Sequence, residues 1–244
     1  MLNIIKSNWL RTKREPVRWV LFIAPILYSL LFSIYVYGSN SLEGFEVYGF
    51  FISFAILSTF SLSFFVPMIY EADKSASYYV NDVKFAISRK KTFLGKFLLI
   101  SFLYALIILI ASVIFLLFWI LLKKSSINYS ELLTIIGILF FTILPLIAIY
   151  QYMHLKFGQT GSILLGIFIT LAAILLGTTG LGSIIWKYLP FVWPIKLMYL
   201  LAKGEITLNI CIIFMILSLS ISALLLLIVA TFFDKLDLYE KTED

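Results

Sequence analysis

Two residue types that perform much of enzyme chemistry occur once each in this chain, as His154 and Cys211. A zinc site needs several His, Cys or carboxylate ligands, and a serine nucleophile needs a neighbouring base. From the sequence, no acidic or nucleophilic partner can be placed near His154, and the glycine-rich segment 177–183 lacks the lysine of a phosphate-binding loop. We therefore expect neither a catalytic site nor a metal site, and we interpret Cys211 as a packing residue.

Charged residues concentrate instead in one segment, 70–96, whose two ends carry opposite charges. Acidic residues come first and basic residues last, with apolar side chains such as Tyr78 and Phe85 between them. A connection that only fixed topology would need Lys and Arg alone. The segment is therefore predicted to be a coupling loop that docks a separate protein, although residues 89–91 could be topological anchors only. The residues predicted to contact that protein are Glu71, Asp73, Lys74, Ser88, Arg89, Lys90, Lys91 and Lys96.

The remaining sequence is too apolar for a water-soluble domain. Of the 244 residues, 62% are apolar and 13% are charged, and the mean hydropathy is +1.04. A soluble domain is about 45–50% apolar and about 25% charged. A membrane-crossing helix needs about 20 apolar residues, and residues 17–233 contain six continuous apolar stretches of that kind. They predict an all-α membrane protein with six transmembrane helices, at 17–37, 47–69, 97–122, 132–153, 160–185 and 207–233.

The distribution of positive charge predicts the orientation of these helices. Most of the 19 Lys and Arg lie in the N-terminal segment, in 70–96 and in the C-terminal tail 234–244. The positive-inside rule places these segments, and so both termini, in the cytoplasm. The net charge of +6 is thus assigned to topology and docking, and no nucleic-acid partner is expected. No Asp, Glu, Lys or Arg lies well inside the apolar stretches, which argues against proton- or sodium-driven transport.

Two further segments are predicted to contact membrane lipid at the bilayer surface. Residues 1–16 predict a cytoplasmic amphipathic interfacial helix, with a plain basic flank as the alternative. The aromatic outer segment 186–206, twice interrupted by proline, predicts an interfacial or re-entrant element before helix 6, with an ordinary loop as the alternative. The first prediction rests on Ile5, Lys6, Trp9, Arg11 and Lys13, and the second on Trp186, Pro190, Trp193 and Pro194.

This layout resembles that of an ABC-2-type ABC transporter permease. In that family a Glu at the end of span 2 is followed by a Ser-Arg turn and by a Lys that leads into span 3. The matching residues here are Glu71, Ser88, Arg89 and Lys96. The Gly-Thr pair common after that Glu is missing, with Ser75-Ala76 nearby, and the Leu-Pro pair common before the Ser-Arg is replaced by Ala86-Ile87. The opening segment 1–14, the run 94–97 and the turn 193–196 are similar to those of the small permeases of lantibiotic-immunity exporters, the nisin, mutacin and nukacin type.

The resemblance implies a permease subunit that has no ATPase site of its own and binds no cofactor. It would pair with a second permease subunit, the same chain or a sibling, and with two copies of a separate subunit that binds ATP and Mg²⁺. Such complexes expel an antimicrobial peptide from the bacterial plasma membrane and so confer self-immunity. The alternatives are an ABC-2 exporter of another drug, lipid or peptide, a membrane scaffold without transport activity, and a membrane-embedded enzyme, which the missing titratable residues disfavour.

Overall fold

A computed structural model of the chain describes residues 9–10, 17–39, 42–74, 89–123 and 128–235. Within these ranges every regular element is helical. Three short 3-10 turns join the fourth helix to the fifth, at Gly180–Gly182, Ile185–Tyr188 and Pro190–Val192. The α-helices from residue 17 onward are α1 (Val17–Gly38), α2 (Glu46–Lys74), α3 (Arg89–Lys123), α4 (Tyr129–Thr178), α5 (Trp193–Ala202) and α6 (Leu208–Lys235).

Among the described residues, five helices are long and apolar enough to cross a membrane, namely α1, α2, α3, α4 and α6. The ten-residue α5 is too short to do so. Each predicted stretch falls on one of these helices, but α2 ends five residues after 47–69 and α3 begins eight residues before 97–122. The prediction of an all-helical protein is thereby confirmed for the described residues, and the five long helices fit a multi-pass membrane protein.

The helix α4 contains 50 residues where the sequence predicted two separate spans. A straight helix of that length would extend about 75 Å, against about 30 Å of bilayer hydrocarbon. Gly158 interrupts the helix, because its φ of 72° and ψ of −167° lie in a region that only glycine adopts readily. We call residues 129–157 leg α4a and residues 159–178 leg α4b.

Contacts with α2 show that the chain reverses at Gly158. Near the end of α4a, the His154 ring lies 5.1 Å from the Tyr70 ring. If the helix continued straight, Ser162 would lie about 12 Å beyond His154. The Ser162 hydroxyl instead donates to the Ser63 carbonyl at 2.9 Å, and Ser63 lies two turns back from Tyr70 on α2. Both legs of α4 therefore lie alongside α2.

Small residues allow α2 to approach α4b closely. A Cβ added to Gly166 would collide with the Ser63 side chain. On the other leg, the Tyr150 hydroxyl donates to the Thr59 carbonyl at 2.9 Å. Such contacts are a usual means of helix association in lipid, where burial of apolar surface against protein gains little over burial in lipid. Close packing and hydroxyl-to-carbonyl bonds thus hold α2 against both legs.

The helices α1 and α6 pack at the margins of the bundle. The Ser29 hydroxyl of α1 donates to the Ala111 carbonyl of α3 at 3.0 Å. The Ser218 hydroxyl of α6 donates to the Phe141 carbonyl of α4a at 2.7 Å. In the most apolar part of each helix, 28% of α1 and 22% of α6 are buried, against 61% of α2. Both marginal helices therefore present most of their apolar surface outward.

The fifth predicted span, 160–185, ends earlier than expected. The helix stops at Thr178, and the chain continues in 3-10 turns. A Cβ at Gly182 would collide with the Leu176 carbonyl, so the chain folds back against the last turn of α4b. The apolar composition continues past this point, and hydropathy alone therefore could not indicate where the helix ends.

The close approach at Gly166 predicts a sharp response to one added methyl group. The Gly166→Ala substitution should force α2 and α4b apart and lower the free energy of unfolding by about 1–3 kcal/mol. Gly38→Ala is the matched control, because nothing lies within 4 Å of a Cβ at Gly38. The measurement is the thermal denaturation midpoint in detergent, and equal midpoints for the two variants would contradict the packing described here.

Candidate functional site

Three helix ends meet where segment 70–96 leaves the bundle and re-enters it. Tyr70 and Glu71 lie near the end of α2, and Lys96 lies two turns into α3. Gln151 and His154 lie near the end of α4a. We call these five residues the junction cluster.

The side chain of Lys96 lies inside the bundle and is 1% exposed. Its Nζ is 3.7 Å from the centroid of the Tyr70 ring, which is the geometry of a cation–π interaction. A buried ammonium group loses its hydration, and the negative face of an aromatic ring compensates for part of that loss. The Tyr70 ring therefore stabilises the charge of Lys96 and joins α2 to α3.

Gln151 joins α4a to the same tyrosine. Its Nε2 donates to the Tyr70 hydroxyl at 2.9 Å, and the residue is fully buried. The Gln151 Oε1 receives no hydrogen bond from the described part of the chain. The His154 ring packs on the Tyr70 ring with a tilt of 46°. Any displacement of Tyr70 therefore disturbs contacts with both α3 and α4a.

The predicted docking residues lie in several different environments. Lys91 is exposed at the start of α3, Lys90 and Glu71 are half-buried, and Lys96 lies inside the bundle on the Tyr70 ring. The structure therefore places Lys96 on Tyr70, the chain neighbour of Glu71, while docking by Glu71 and Lys96 stays a prediction. Asp73, Lys74 and Arg89 belong to the helical backbone of α2 and α3, and Ser88 lies outside the described residues.

Of the predicted N-terminal interfacial helix, the structure describes Trp9 and its neighbour. Arg18, at the start of α1, reaches back to Trp9, where its Nη2 donates to the Trp9 carbonyl at 2.7 Å. Its guanidinium also lies 4.2 Å from the indole centroid. Arg18 thus holds residue 9 against α1. The other residues on which that predicted helix rests, Ile5, Lys6, Arg11 and Lys13, lie outside the described residues. Residues 236–244 of the C-terminal tail also lie outside them.

In the outer segment 186–206, both tryptophans face the protein interior. The Trp186 and Trp193 rings are buried, and each packs on Phe214 at 5.1 Å. The Trp193 Nε1 donates to the Trp186 carbonyl at 3.1 Å. Pro190 and Pro194 lie at the starts of the last 3-10 turn and of α5, where a missing N–H costs little. The two tryptophans therefore pack the segment onto α6, and its interfacial or re-entrant character stays a prediction.

A cavity of about 360 Å³ lies between α1, α2 and α3. One stripe of α2 at helical spacing forms much of its wall, and α1 contributes Pro25 and Tyr28. Four hydroxyl-bearing residues interrupt this apolar lining, namely Tyr28, Ser58, Ser61 and Tyr104. The Tyr28 hydroxyl donates to the Phe50 carbonyl at 2.7 Å. The buried Tyr104 hydroxyl forms no hydrogen bond of good geometry within the described residues, although the Ser58 side chain interacts with it.

Sequence reasoning missed both the junction cluster and the cavity. It could place no acidic or nucleophilic partner near His154. The three-residue spacing of Gln151 and His154 places both on one helix face, and this was an available signal. No pattern along the chain indicates that Tyr70 and Lys96 meet that face, because the contact arises from the packing of three helices.

Comparison with known proteins identifies no relative. No family model matches this chain, and no curated protein or solved structure shows significant similarity to it. Function is therefore inferred from the residues, their geometry and the layout of the chain.

The two roles of Tyr70 can be separated by substitution. Tyr70→Phe removes the acceptor for Gln151 and keeps the ring beneath Lys96, whereas Tyr70→Leu removes both. We expect Tyr70→Leu to lower the thermal denaturation midpoint in detergent further, since a desolvated cation–π interaction contributes about 2 kcal/mol. When Lys96 is also replaced by Met, the difference between the denaturation midpoints of the Tyr70→Phe and Tyr70→Leu variants should become smaller, which is the logic of a double-mutant cycle. An unchanged difference would show that the ring does not act through the ammonium group.

Proposed function

We propose that this chain is the permease subunit of an ATP-driven ABC-2-type exporter in a bacterial plasma membrane. The observation that carries this proposal is the junction cluster. Tyr70 and Lys96 flank the charged segment between α2 and α3, and Tyr70 also contacts α4a through Gln151 and His154. A protein that docked on this segment and moved it would act on three helices at once. Such an arrangement suits a bundle that takes its energy from a separate motor.

The proposed transmembrane domain has six crossings, because α4a and α4b count separately once the chain reverses at Gly158. The shorter leg, 159–178, is about 30 Å long, which is enough to cross the hydrocarbon core. An even number of crossings places both termini on one side, in agreement with the distribution of Lys and Arg. The segment 70–96 and the Gly158 turn then face the cytoplasm, and α5 faces outward.

This topology predicts a pattern of cysteine labelling. The native Cys211 is buried, and a Cys211→Ser background leaves introduced cysteines alone in the chain. Lys91→Cys and Gln159→Cys, both at exposed positions, should react with a membrane-impermeant maleimide only in inside-out vesicles. Glu205→Cys, also exposed, should react only in right-side-out vesicles. Labelling of positions 91 and 159 from opposite sides would contradict the six-crossing arrangement.

The proposed partners are two copies of an ATP-binding subunit and a second permease, either the same chain or a sibling. ATP and Mg²⁺ would bind to the partner subunits. Exposed ion pairs contribute about 0–1 kcal/mol each, so docking on segment 70–96 must use several charges together. Glu71, Arg89 and Lys91 are proposed to act in this way, from both ends of the segment.

The proposed cargo is an amphipathic antimicrobial peptide of the lantibiotic type, expelled from the membrane to give self-immunity. Support for this cargo comes from the resemblance of segments 1–14, 94–97 and 193–196 to lantibiotic-immunity permeases. An apolar cavity with a few placed hydroxyls also suits an amphipathic ligand. The second candidate is an ABC-2 exporter of another drug, lipid or peptide. It would share the docking and topology and differ only in cargo.

Docking and cargo can be tested in one strain that co-expresses the chain with the proposed ABC ATPase and permease partners. The Glu71→Ala/Arg89→Ala double variant should reduce ATPase co-purification several-fold while membrane insertion stays normal. It should also lower survival in a lantibiotic that the parent strain tolerates. Glu205→Ala and Lys203→Ala are the controls, because both residues are exposed and follow α5, on the opposite side of the membrane in the proposed topology.

Normal co-purification and survival of the double variant would refute the docking assignment. Equal sensitivity of the parent and deletion strains to nisin-, mutacin- and nukacin-type peptides would instead point to the second candidate. A docking defect without a change in peptide sensitivity would therefore keep the exporter and change its cargo.

A further inference from the structure

The cavity between α1, α2 and α3 opens sideways. Helix α1 contacts α3 through Ser29 and contacts α2 through Tyr28. Toward the start of α1, Val20 and Ala24 line the cavity opposite the stripe of α2. At the rim Val20 is 40% exposed and Leu57 is 45% exposed. The mouth therefore faces outward from the bundle, where lipid would surround a membrane-spanning chain.

Hydroxyl groups lie halfway along the helices, in the depth of this cavity. Ser58 is twelve residues from Glu46 and twelve from Tyr70, so it lies midway along the apolar part of α2. Tyr104, with 2% exposure, interacts with Ser58 and has no hydrogen bond of good geometry within the described residues. A polar group in an apolar site is costly unless it is hydrogen-bonded. The wall is thus complementary to a ligand that has an apolar body and carries a hydrogen-bond acceptor.

A lipid acyl chain satisfies only half of this requirement. Its methylene groups would fill the apolar volume but would offer no acceptor to Tyr104 or Ser58. A peptide offers both, because apolar side chains are attached to a backbone with a carbonyl at every residue. Aromatic walls, including Phe60 and Phe64, also suit side chains of peptides that partition into membranes.

We propose that this cavity is the site at which the peptide cargo enters a single subunit from the bilayer. This inference rests on the proposed function. An apolar side chain of the peptide occupies the cleft between α1 and α2. The Tyr104 and Ser58 hydroxyls donate to a neighbouring backbone carbonyl of the peptide. The cargo is thus recognised before any movement driven by ATP.

Photocrosslinking of the permease alone, in lipid nanodiscs without ATPase or ATP, tests the location. The photoreactive residue p-benzoylphenylalanine replaces Leu57 at the mouth or Leu98 on α3. Leu98 is the matched control, because it is also 45% exposed and does not line the cavity. The probes are labelled nisin-, mutacin- and nukacin-type peptides. We expect at least one of them to crosslink several-fold more at position 57 than at position 98.

The polar contact is tested by equilibrium binding of the crosslinking peptide. Tyr104→Phe keeps the ring and removes the hydroxyl, and it should raise the Kd about two- to tenfold, as expected for loss of one neutral hydrogen bond. Tyr188→Phe is the control, because Tyr188 is 80% exposed and distant from the cavity lining. Size-exclusion profiles in detergent establish that both variants are folded.

Three outcomes would overturn the inference. The first is that no peptide crosslinks preferentially at position 57. The second is that a photoreactive phospholipid crosslinks there in place of the peptides. The third is that the Tyr104→Phe variant binds the peptide as tightly as the Tyr188→Phe variant. Because the ATPase is absent, these results are separate from the docking test. Intact ATPase co-purification without peptide crosslinking would remove the cavity assignment alone, whereas crosslinking without ATPase docking would remove the ATP-driven mechanism alone.

Discussion

The packing of α2 against both legs of α4 is the constraint on which the rest of the bundle depends. Gly158 allows the chain to reverse, and Gly166 allows the returning leg to reach Ser63. In lipid, association of apolar helices depends on close contact and hydrogen bonds, because apolar burial alone does little. A side chain at position 166 would collide with Ser63, and one at position 158 would strain the positive-φ backbone at which the chain reverses. The position of α2 then determines where its end, at Tyr70, meets the other helices.

The junction cluster follows from that position. A lysine inside a helical bundle is costly, and Lys96 is retained on the face of Tyr70 while Gln151 binds the hydroxyl of the same residue. One aromatic side chain thus contacts α3 and α4a at the point where the charged segment 70–96 begins. This makes the end of α2 mechanically coupled to its neighbours, which is the property that the proposed motor-driven function requires.

The cavity arises at the opposite, less constrained side of α2. Helix α1 is bound to α3 through Ser29 and meets α2 around Tyr28, so none of the described helices packs along the full length of the outward stripe of α2. The surrounding helices fill the remaining sides. The same packing that holds α2 against α4 therefore leaves it open toward α1, and Tyr104 lines the resulting space.

Hydropathy along the chain was sufficient to predict the fold class and the approximate helix positions. The free energy of transferring about 20 apolar residues into lipid depends only on the residues of that stretch. Hydropathy predicted the separation of 132–153 from 160–185, and Gly158 lies between them. It did not predict that α4b stops at Thr178, that Trp186 and Trp193 face Phe214, or that Lys96 lies under a tyrosine. The sequence by itself determined which segments are helical and apolar. Only the tertiary structure decided which polar groups meet, because the partners of Tyr70 and Tyr104 come from helices whose mutual positions depend on close packing at a few small residues.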